Sequence, residues 1–403
     1  MPLAPGRVRK WQAFHSGETS SNAVCALSII RAPDMNPGRE GRKRLRVIHC
    51  GTGVAGQQAL RAILGNTSLE LVGLLVHSPS REGKDAVQLA GLSGPECGIE
   101  GQTDFAAILG LDADVVCYMT LVPDIDQICT LLASGKNVVT TAGLMYPSWN
   151  DVASNDLLQR ACRKGRSSFY VTGINPGWVD EVLPLTMSGL CQRIKRIHIR
   201  EYADCSRYPA PHIINVMGFG KPLEDIKAGR LPDLAIMRDF FIQSVAALAD
   251  ELDLKLDEIT ESREFVMAPR AYDIKAGHIA KGTIAGQRWR WQGIAAGAAK
   301  IVQETFWITA FDLGEGWPAF GQQQGDTQWQ VTIEGTPSLR CTFEPRHSFA
   351  EVALEQATPD YNPSGLATAM AAVNSLPAVV RARPGILGSS DLTLPRCRQI
   401  AYA

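Results

Sequence analysis

Gly51, Gly53 and Gly56 stand at G-x-G-x-x-G spacing directly after the apolar run Leu45 to Cys50, and a helical pattern begins at once behind them. In that arrangement Gly51 permits a tight strand-to-helix turn, Gly53 lets the backbone approach a pyrophosphate, and Gly56 lets the helix pack closely on its strand. Thr52, Val54 and Ala55 lie in the same loop, whose free N–H groups point at an anion that the helix dipole also favours. The chemistry implied is dinucleotide binding. About 20 residues beyond the glycines, an NAD site would carry Asp or Glu to accept the ribose 2′-hydroxyl. Here the second apolar run ends instead in His77-Ser78-Pro79-Ser80-Arg81, followed by Lys84. Two hydroxyls and a guanidinium suit a 2′-phosphate, which a carboxylate would repel. NADP(H) is therefore preferred, with NAD(H) as the alternative. Arg81 and Lys84 also fit an ordinary solvated loop.

Three further segments end where ligands of open α/β sheets bind, outside the carboxyl ends of the strands. They are Tyr118-Met119-Thr120, Thr141-Ala142-Gly143 and the turn Asn175-Pro176-Gly177. The threonines could bond the nicotinamide side of a cofactor or be simple strand formers. In the turn, Pro fixes φ and Gly frees it, so the backbone can come close to a ligand. Hydride chemistry also needs a proton donor or acceptor. A polar stretch in the second half offers Glu201, Tyr202, Asp204, Tyr208 and His212. Glu201 and Asp204 equally suit surface pairing with Arg200 and Arg207, the commoner fate of exposed charges. No His, Cys, Asp or Glu spacing suggests a metal.

The elements that must position these residues alternate. Strand patterns cover Leu45 to Cys50, Leu69 to His77, Asp114 to Met119, Asn137 to Thr141 and Ser168 to Val171. Helical patterns run from Val54 to Leu64, Asp124 to Ser134 and Asp151 to Arg163 between them. Strand and helix in turn predict an α/β fold, a Rossmann-type parallel sheet covered on both faces. After Asp180 the pattern changes to strands at Arg196 to Tyr202, Gly282 to Ile294, Lys300 to Thr309 and Thr327 to Ile333, with one long helix from Asp233 to Leu252. This predicts an α+β mixed-sheet domain for substrate and dimerisation, in which Trp289, Trp291, Trp307 and Trp329 mainly pack a core or dimer interface. A helix from Gly365 to Val373, ended by Pro377, returns to the first sheet. The expected organisation is a disordered leader over 1–43, a dinucleotide-binding domain over 44–180 completed by a helix at about 363–385, and a second domain over 181–362.

The chain of 403 residues is 45% hydrophobic, enough for a sizeable core. Its 40 Lys and Arg nearly cancel its 41 Asp and Glu, so no global field draws it to nucleic acid or an anionic membrane. Its ten cysteines are scattered with no C-x-x-C pair, which reads as core thiols in a reducing cytoplasm rather than a disulfide framework.

Taken together, the glycine turn, Gly83-Lys84-Asp85-Ala86, Gly173-Ile-Asn-Pro-Gly177 and the tail segments Gly365 to Met370 and Val373 to Ala378 resemble the dihydrodipicolinate reductase-like superfamily. Within it the chain is most similar to the branch of 2,4-diaminopentanoate dehydrogenase and the native amine dehydrogenases, over about residues 44 to 395. The resemblance implies NAD(P)-dependent hydride transfer to or from a carbon bearing nitrogen or oxygen, commonly in a homodimer. Two departures stand out. The paired histidines and the Lys-x-Asp-Ala-Pro-Ser-Gly-Thr segment of the lysine-pathway reductase are missing, which argues against lysine biosynthesis. The amine-converting members also carry acidic residues after the strand matching Asn137 to Thr141, where this chain has Ala142-Gly143-Leu144. Without that base an ammonium is harder to deprotonate, so a ketone, alcohol or preformed imine becomes a competing substrate. Tyr202 and Tyr208 resemble tyrosines of the branch's substrate pocket, and Tyr146 lies near the expected cleft. The expectation is that one of Tyr146, Tyr202, Tyr208 or His212 donates the proton. The other function class is a non-catalytic NADP-binding sensor or scaffold.

Overall fold

A computed structural model describes residues 44–120, 122–141, 152–208, 211–228, 235–318, 327–346 and 362–397. Two sheets carry the molecule. The first has seven parallel strands in the order β15-β6-β5-β4-β1-β2-β3. They are β1 (Leu45–Cys50), β2 (Leu69–Leu75), β3 (Gly101–Gln102), β4 (Val115–Tyr118), β5 (Asn137–Thr140), β6 (Ser168–Val171) and β15 (Gly385–Leu387). Strands β1, β4, β5 and β6 are short apolar runs whose residues are nearly all buried, as a sheet covered on both faces requires. Helices α1 (Val54–Leu64) and α5 (Pro363–Val379) cover one face, with Ala59, Ile63, Ala369, Val373 and Leu376 against Val47, Cys117 and Val139. Helices α2 (Ile125–Ala133) and α3 (Val152–Gly165) cover the other, with Ile128, Leu132, Leu158 and Cys162 against Ile48, Val116 and Val138. Strand order reverses between β1 and β4, so the glycine turn lies at the topological switch point.

The second sheet is mixed, in the order β14-β13-β7-β12-β11-β8. Its strands are β7 (Arg193–Asp204), β8 (Glu258–Met267), β11 (Ile284–Ala295), β12 (Ala298–Ile308), β13 (Thr327–Thr336) and β14 (Leu339–Phe343), and β9 (Tyr272–Ile274) with β10 (Gly277–Ile279) makes a separate hairpin. Strands β7 and β12 are parallel, and the remaining pairs of the sheet are antiparallel. The inner face packs on α4 (Ala235–Glu251) and on the irregular helical segment Ile174–Val182. Odd-numbered positions of β7 and β12, such as Ile197, Ile199, Ile301 and Trp307, join that core. Even-numbered positions such as His198, Tyr202, Glu304 and Phe306 point to the outer face, because side chains alternate along a strand.

The expected strands and helices are present, with ends that differ by a few residues. The helix expected to stop at Pro377 instead runs to Val379 with the proline inside it. A proline so near the end removes only one ladder bond, and Leu376 and Val379 keep the last turn buried. Strands β8 and β14 escaped the sequence reading. Both are edge strands of mixed burial, without the sustained apolar run that marks a central strand. The expected leader at 1–43 lies outside the described residues. None of the described helices is long and apolar enough to cross a membrane.

Candidate functional site

The three glycines of the turn are required for different reasons. Gly51 has φ +90°, and a Cβ there would come within 2.6 Å of the Met119 carbonyl oxygen. A Cβ at Gly56 would strike the Gly51 carbonyl. Both are therefore fixed by the chain's own packing of β1, α1 and β4. A Cβ at Gly53 would meet nothing within 4 Å. No side chain caps α1, which starts directly after Gly53, and the first turn holds no acidic residue. The turn thus offers uncapped helix N–H groups beside an open glycine, which fits a phosphate group.

Arg81 is brought back across this turn. Its Nη1 donates to the Thr52 carbonyl at 2.7 Å and to Thr52 Oγ1 at 2.5 Å. Ser78 Oγ and Ser80 Oγ bond each other at 2.8 Å beside it, and His77 and Lys84 are exposed on the same rim. Under the turn lies His49, which sequence reasoning passed over because it sits inside an apolar run. It is fully buried beside the Gly51 and Gly56 backbone, and burial lowers its pKa to about 4, so the imidazole is neutral.

At the carboxyl edge the expected contacts divide. The Tyr118 ring is fully buried, its hydroxyl lying 3.4 Å from both Gln127 Oε1 and the Asp124 N–H, so only its backbone reaches the edge. Thr120 Oγ1 donates to the Val122 carbonyl at 2.8 Å, and Thr141 Oγ1 donates to Met119 Sδ at 3.4 Å. Ala142, Gly143 and Tyr146 lie outside the described residues. Between β6, Ile174–Val182, β14 and α5 is a cleft of about 210 Å³, lined by Thr172, Trp178, Phe343, Met370 and Asn374 among others.

Asn175 links the two sheets. Its Nδ2 donates to Glu201 Oε2, while its Oδ1 accepts from Gln303 Nε2 at 3.3 Å. Trp307 Nε1 donates to Glu201 Oε1 at 2.9 Å and Trp329 Nε1 to Oε2 at 3.1 Å. Burial pushes the Glu201 carboxyl up, against these three N–H bonds, which favour its anion. The surface pairing expected for Glu201 is therefore corrected: odd numbering on β7 turns it to the inner face. Arg200 pairs instead with Glu304 at 3.1 Å. Asp204 does pair with Arg207, at 3.3 Å. Trp289, Trp291, Trp307 and Trp329 are core residues as expected, but two of them also serve Glu201.

The same alternation places Tyr202 on the opposite face. Its ring stacks on Phe306 at 5.3 Å on the outer face, on the far side of the sheet from Glu201 and Asn175. His198 is also on that face, where its Nε2 donates to Glu304 Oε2 at 3.0 Å, and Arg200, Arg288 and Arg290 donate to Glu304 too. Burial alone would raise the Glu304 pKa, but the bonds from His198 and Arg288 outweigh it and hold it at about 2. Tyr208 packs against the inner-face core, and His212 lies on the helix Pro211–Val216. His278 sits on the exposed β9–β10 hairpin, 2.7 Å from Asp273. Next to Asn175, Asp180 and Glu181 are buried and were not singled out in the sequence. Burial raises Asp180 to about 7, against a bond from Ser244 at 2.7 Å and the backbone N–H groups of Asp180 and Gly177, and raises Glu181 to about 8, against a bond from Ser389 at 2.9 Å.

The family described as 2,4-diaminopentanoate dehydrogenase C-terminal domain matches residues 178–401. An amine dehydrogenase from Streptomyces virginiae is 30% identical over 85% of this chain and 95% of its own length. The chain belongs to that family. It is an oxidoreductase with a nicotinamide cofactor. The 2,4-diaminopentanoate dehydrogenase of Acetoanaerobium sticklandii is 26% identical over 67% of this chain and 70% of its own. Among solved structures, an amine dehydrogenase from Mycobacterium smegmatis has the same fold, with a TM-score of 0.67 at 20% identity over 89% of this chain and 98% of that one. Among the described residues no group of His, Cys, Asp and Glu is placed to hold a metal ion.

Proposed function

We propose that this chain is an NADP-preferring dehydrogenase that interconverts a small, fairly apolar primary amine and its imine or carbonyl counterpart. Bound nicotinamide supplies or takes the hydride. The observation that carries the cofactor preference is Arg81, whose guanidinium lies on the Thr52 end of the glycine turn with Ser78 and Ser80 beside it. There it can meet a ribose 2′-phosphate, and no carboxylate stands at the end of β2 to meet a 2′-hydroxyl. The amine class rests on family membership. A second reading, reduction of ketones without ammonia, is favoured by Ala142-Gly143-Leu144, which lacks the branch's acidic residue.

In this reading the Gly51 to Gly56 turn binds the pyrophosphate, and Asn175 is held by Glu201 and Gln303 so that its turn keeps one shape beside the cofactor. Tyr208, packed on the inner-face core, takes the proton-donor role proposed for this stretch, and Tyr202 does not. The active species is proposed to be a cytoplasmic homodimer, which sedimentation of the purified chain would test. For the reaction, purified protein is mixed with NADPH or NADH and ketone panels, with and without ammonia, and nicotinamide absorbance is followed. Ammonia-dependent loss with NADPH supports the amine reading, ammonia-independent loss supports ketone reduction, and silence in every arm favours a sensor.

A further inference from the structure

Around Glu201 the inner face gathers buried oxygen atoms that lack donors. Asp180 Oδ1, Gln303 Oε1 and Thr305 Oγ1 have no hydrogen-bond partner among the described residues, and their residues are at most 1% exposed. Each of the three residues is linked to Glu201. Gln303 bonds Asn175, which bonds Glu201. Thr305 lies opposite Glu201 in the β7–β12 register, on the same face. Asp180 is close enough for its charge and that of Glu201 to repel, and its other oxygen is held by Ser244. No described Lys, Arg or His pairs with either carboxylate, although Arg200 stands next to Glu201 in the chain and turns away to Glu304. Glu201 receives only neutral N–H groups, from two indoles and an amide.

Buried polar atoms are nearly always paired, and a buried carboxylate without a cation is costly. A group that donates several hydrogen bonds and carries positive charge would satisfy these atoms and keep the carboxyls ionised against their burial. A water molecule donates only two and is neutral, and the atoms to be satisfied are one carboxyl oxygen, an amide oxygen and a hydroxyl oxygen, beside a second buried carboxyl. A protonated amine donates three bonds and ammonium four.

We propose that Asp180, Glu201, Gln303 and Thr305 form a binding site for an ammonium group, either free ammonium or the –NH3+ of a primary amine. This rests on the dehydrogenase reading above and supplies the carboxylates that Ala142-Gly143-Leu144 does not. Glu201 is the counter-charge, oriented by its indole donors. Asp180 takes a proton from the bound nitrogen: an N–H bond breaks, an O–H bond forms at Oδ1, and the nitrogen lone pair becomes available to a carbonyl carbon. Burial makes Asp180 suited to that exchange, because its pKa is raised to about 7.

The test uses the full chain without cofactor, titrated with ammonium chloride, methylammonium chloride, sodium chloride and potassium chloride at matched ionic strength. Intrinsic fluorescence reports through Trp307 and Trp329, and thermal melting reports stabilisation. A saturable response to ammonium but not to sodium or potassium is expected, with Asp180→Asn and Glu201→Gln each weakening it about tenfold or more and Thr305→Val weakening it less. A response to methylammonium as well assigns the site to the substrate nitrogen, and a response to ammonium alone assigns it to free ammonium. Identical responses to all four salts, or variants that titrate like the wild type, overturn the proposal. Ion selectivity is read on the wild type, so a variant that fails to fold leaves the test intact. NADPH-dependent reduction of a preformed cyclic imine, which needs no ammonium, is measured in parallel. Imine turnover without ammonium binding refutes this site and keeps the dehydrogenase; ammonium binding without any turnover does the reverse.

Discussion

Replacing Arg81 by Ala removes the guanidinium that lies across the glycine turn. In the wild type Nη1 is held by both Thr52 oxygens, at 2.7 and 2.5 Å, so the side chain is ordered before a ligand arrives. A charge-assisted hydrogen bond contributes roughly 1.5–3 kcal/mol. Since about 1.4 kcal/mol is a factor of ten in Kd, loss of one such contact to a 2′-phosphate should weaken NADPH binding about 10- to 100-fold. NADH lacks that phosphate and should lose at most a few-fold, through looser packing of the Ser78 to Arg81 loop. Titration of each cofactor, followed by nicotinamide fluorescence, gives both constants directly. Arg81→Lys is the control: it keeps the charge and loses the fork, so NADPH binding should fall between the two. Equal losses for NADPH and NADH in Arg81→Ala would show that Arg81 only shapes the turn, and the NADP assignment would fall with it.

Gly51→Ala should destabilise the protein by roughly 1–3 kcal/mol, since a side chain there meets Met119 backbone at a positive φ; Gly53→Ala should melt like the wild type yet bind cofactor more weakly. Chemical denaturation paired with cofactor titration separates the two. Asp180, with Glu201 near it, and Glu181, with Asp180, Glu251 and Tyr170 near it, have folded pKa values raised to about 7 and 8 from 3.8 and 4.5. Their unfolded forms ionise first, so stability present below about pH 4 should be lost as pH rises toward 8, by a few kcal/mol as an order of magnitude. Asp180→Asn and Glu181→Gln should flatten that slope in melting curves, and an unchanged slope would contradict the burial argument. Trp307→Phe removes one of three donors to a buried carboxylate and should cost about 1–3 kcal/mol in denaturation.

The cofactor half was largely legible because its signals are local. Gly51, Gly53 and Gly56 act within one turn, and the apolar runs of β1, β4, β5 and β6 declare themselves without reference to distant residues. His49 was missed there only because a neutral buried histidine looks like any residue of an apolar run. In the second half the deciding facts are long-range. Whether residue 201 or 202 faces Asn175 depends on the parity of β7, which the alternation of Ile197 and Ile199 could have indicated, since Glu201 continues their series. That Trp307 and Trp329 converge on it depends on which strands are neighbours, and β7, β12 and β13 are far apart in the chain. Asp180 and Glu181 read as polar residues ending a turn, and only the packing of α4 and the 389–391 turn buries them.

Hydride delivery to a carbon bearing nitrogen is the central claim, and an isotope label tests it most directly. NADPH carrying deuterium at the transferred C4 position is incubated with the protein, ammonia and a ketone that turns over, and the product is analysed by mass spectrometry. The account predicts a primary amine with the deuterium on the carbon attached to nitrogen. A deuterated alcohol as the sole product, unaffected by ammonia, would contradict it.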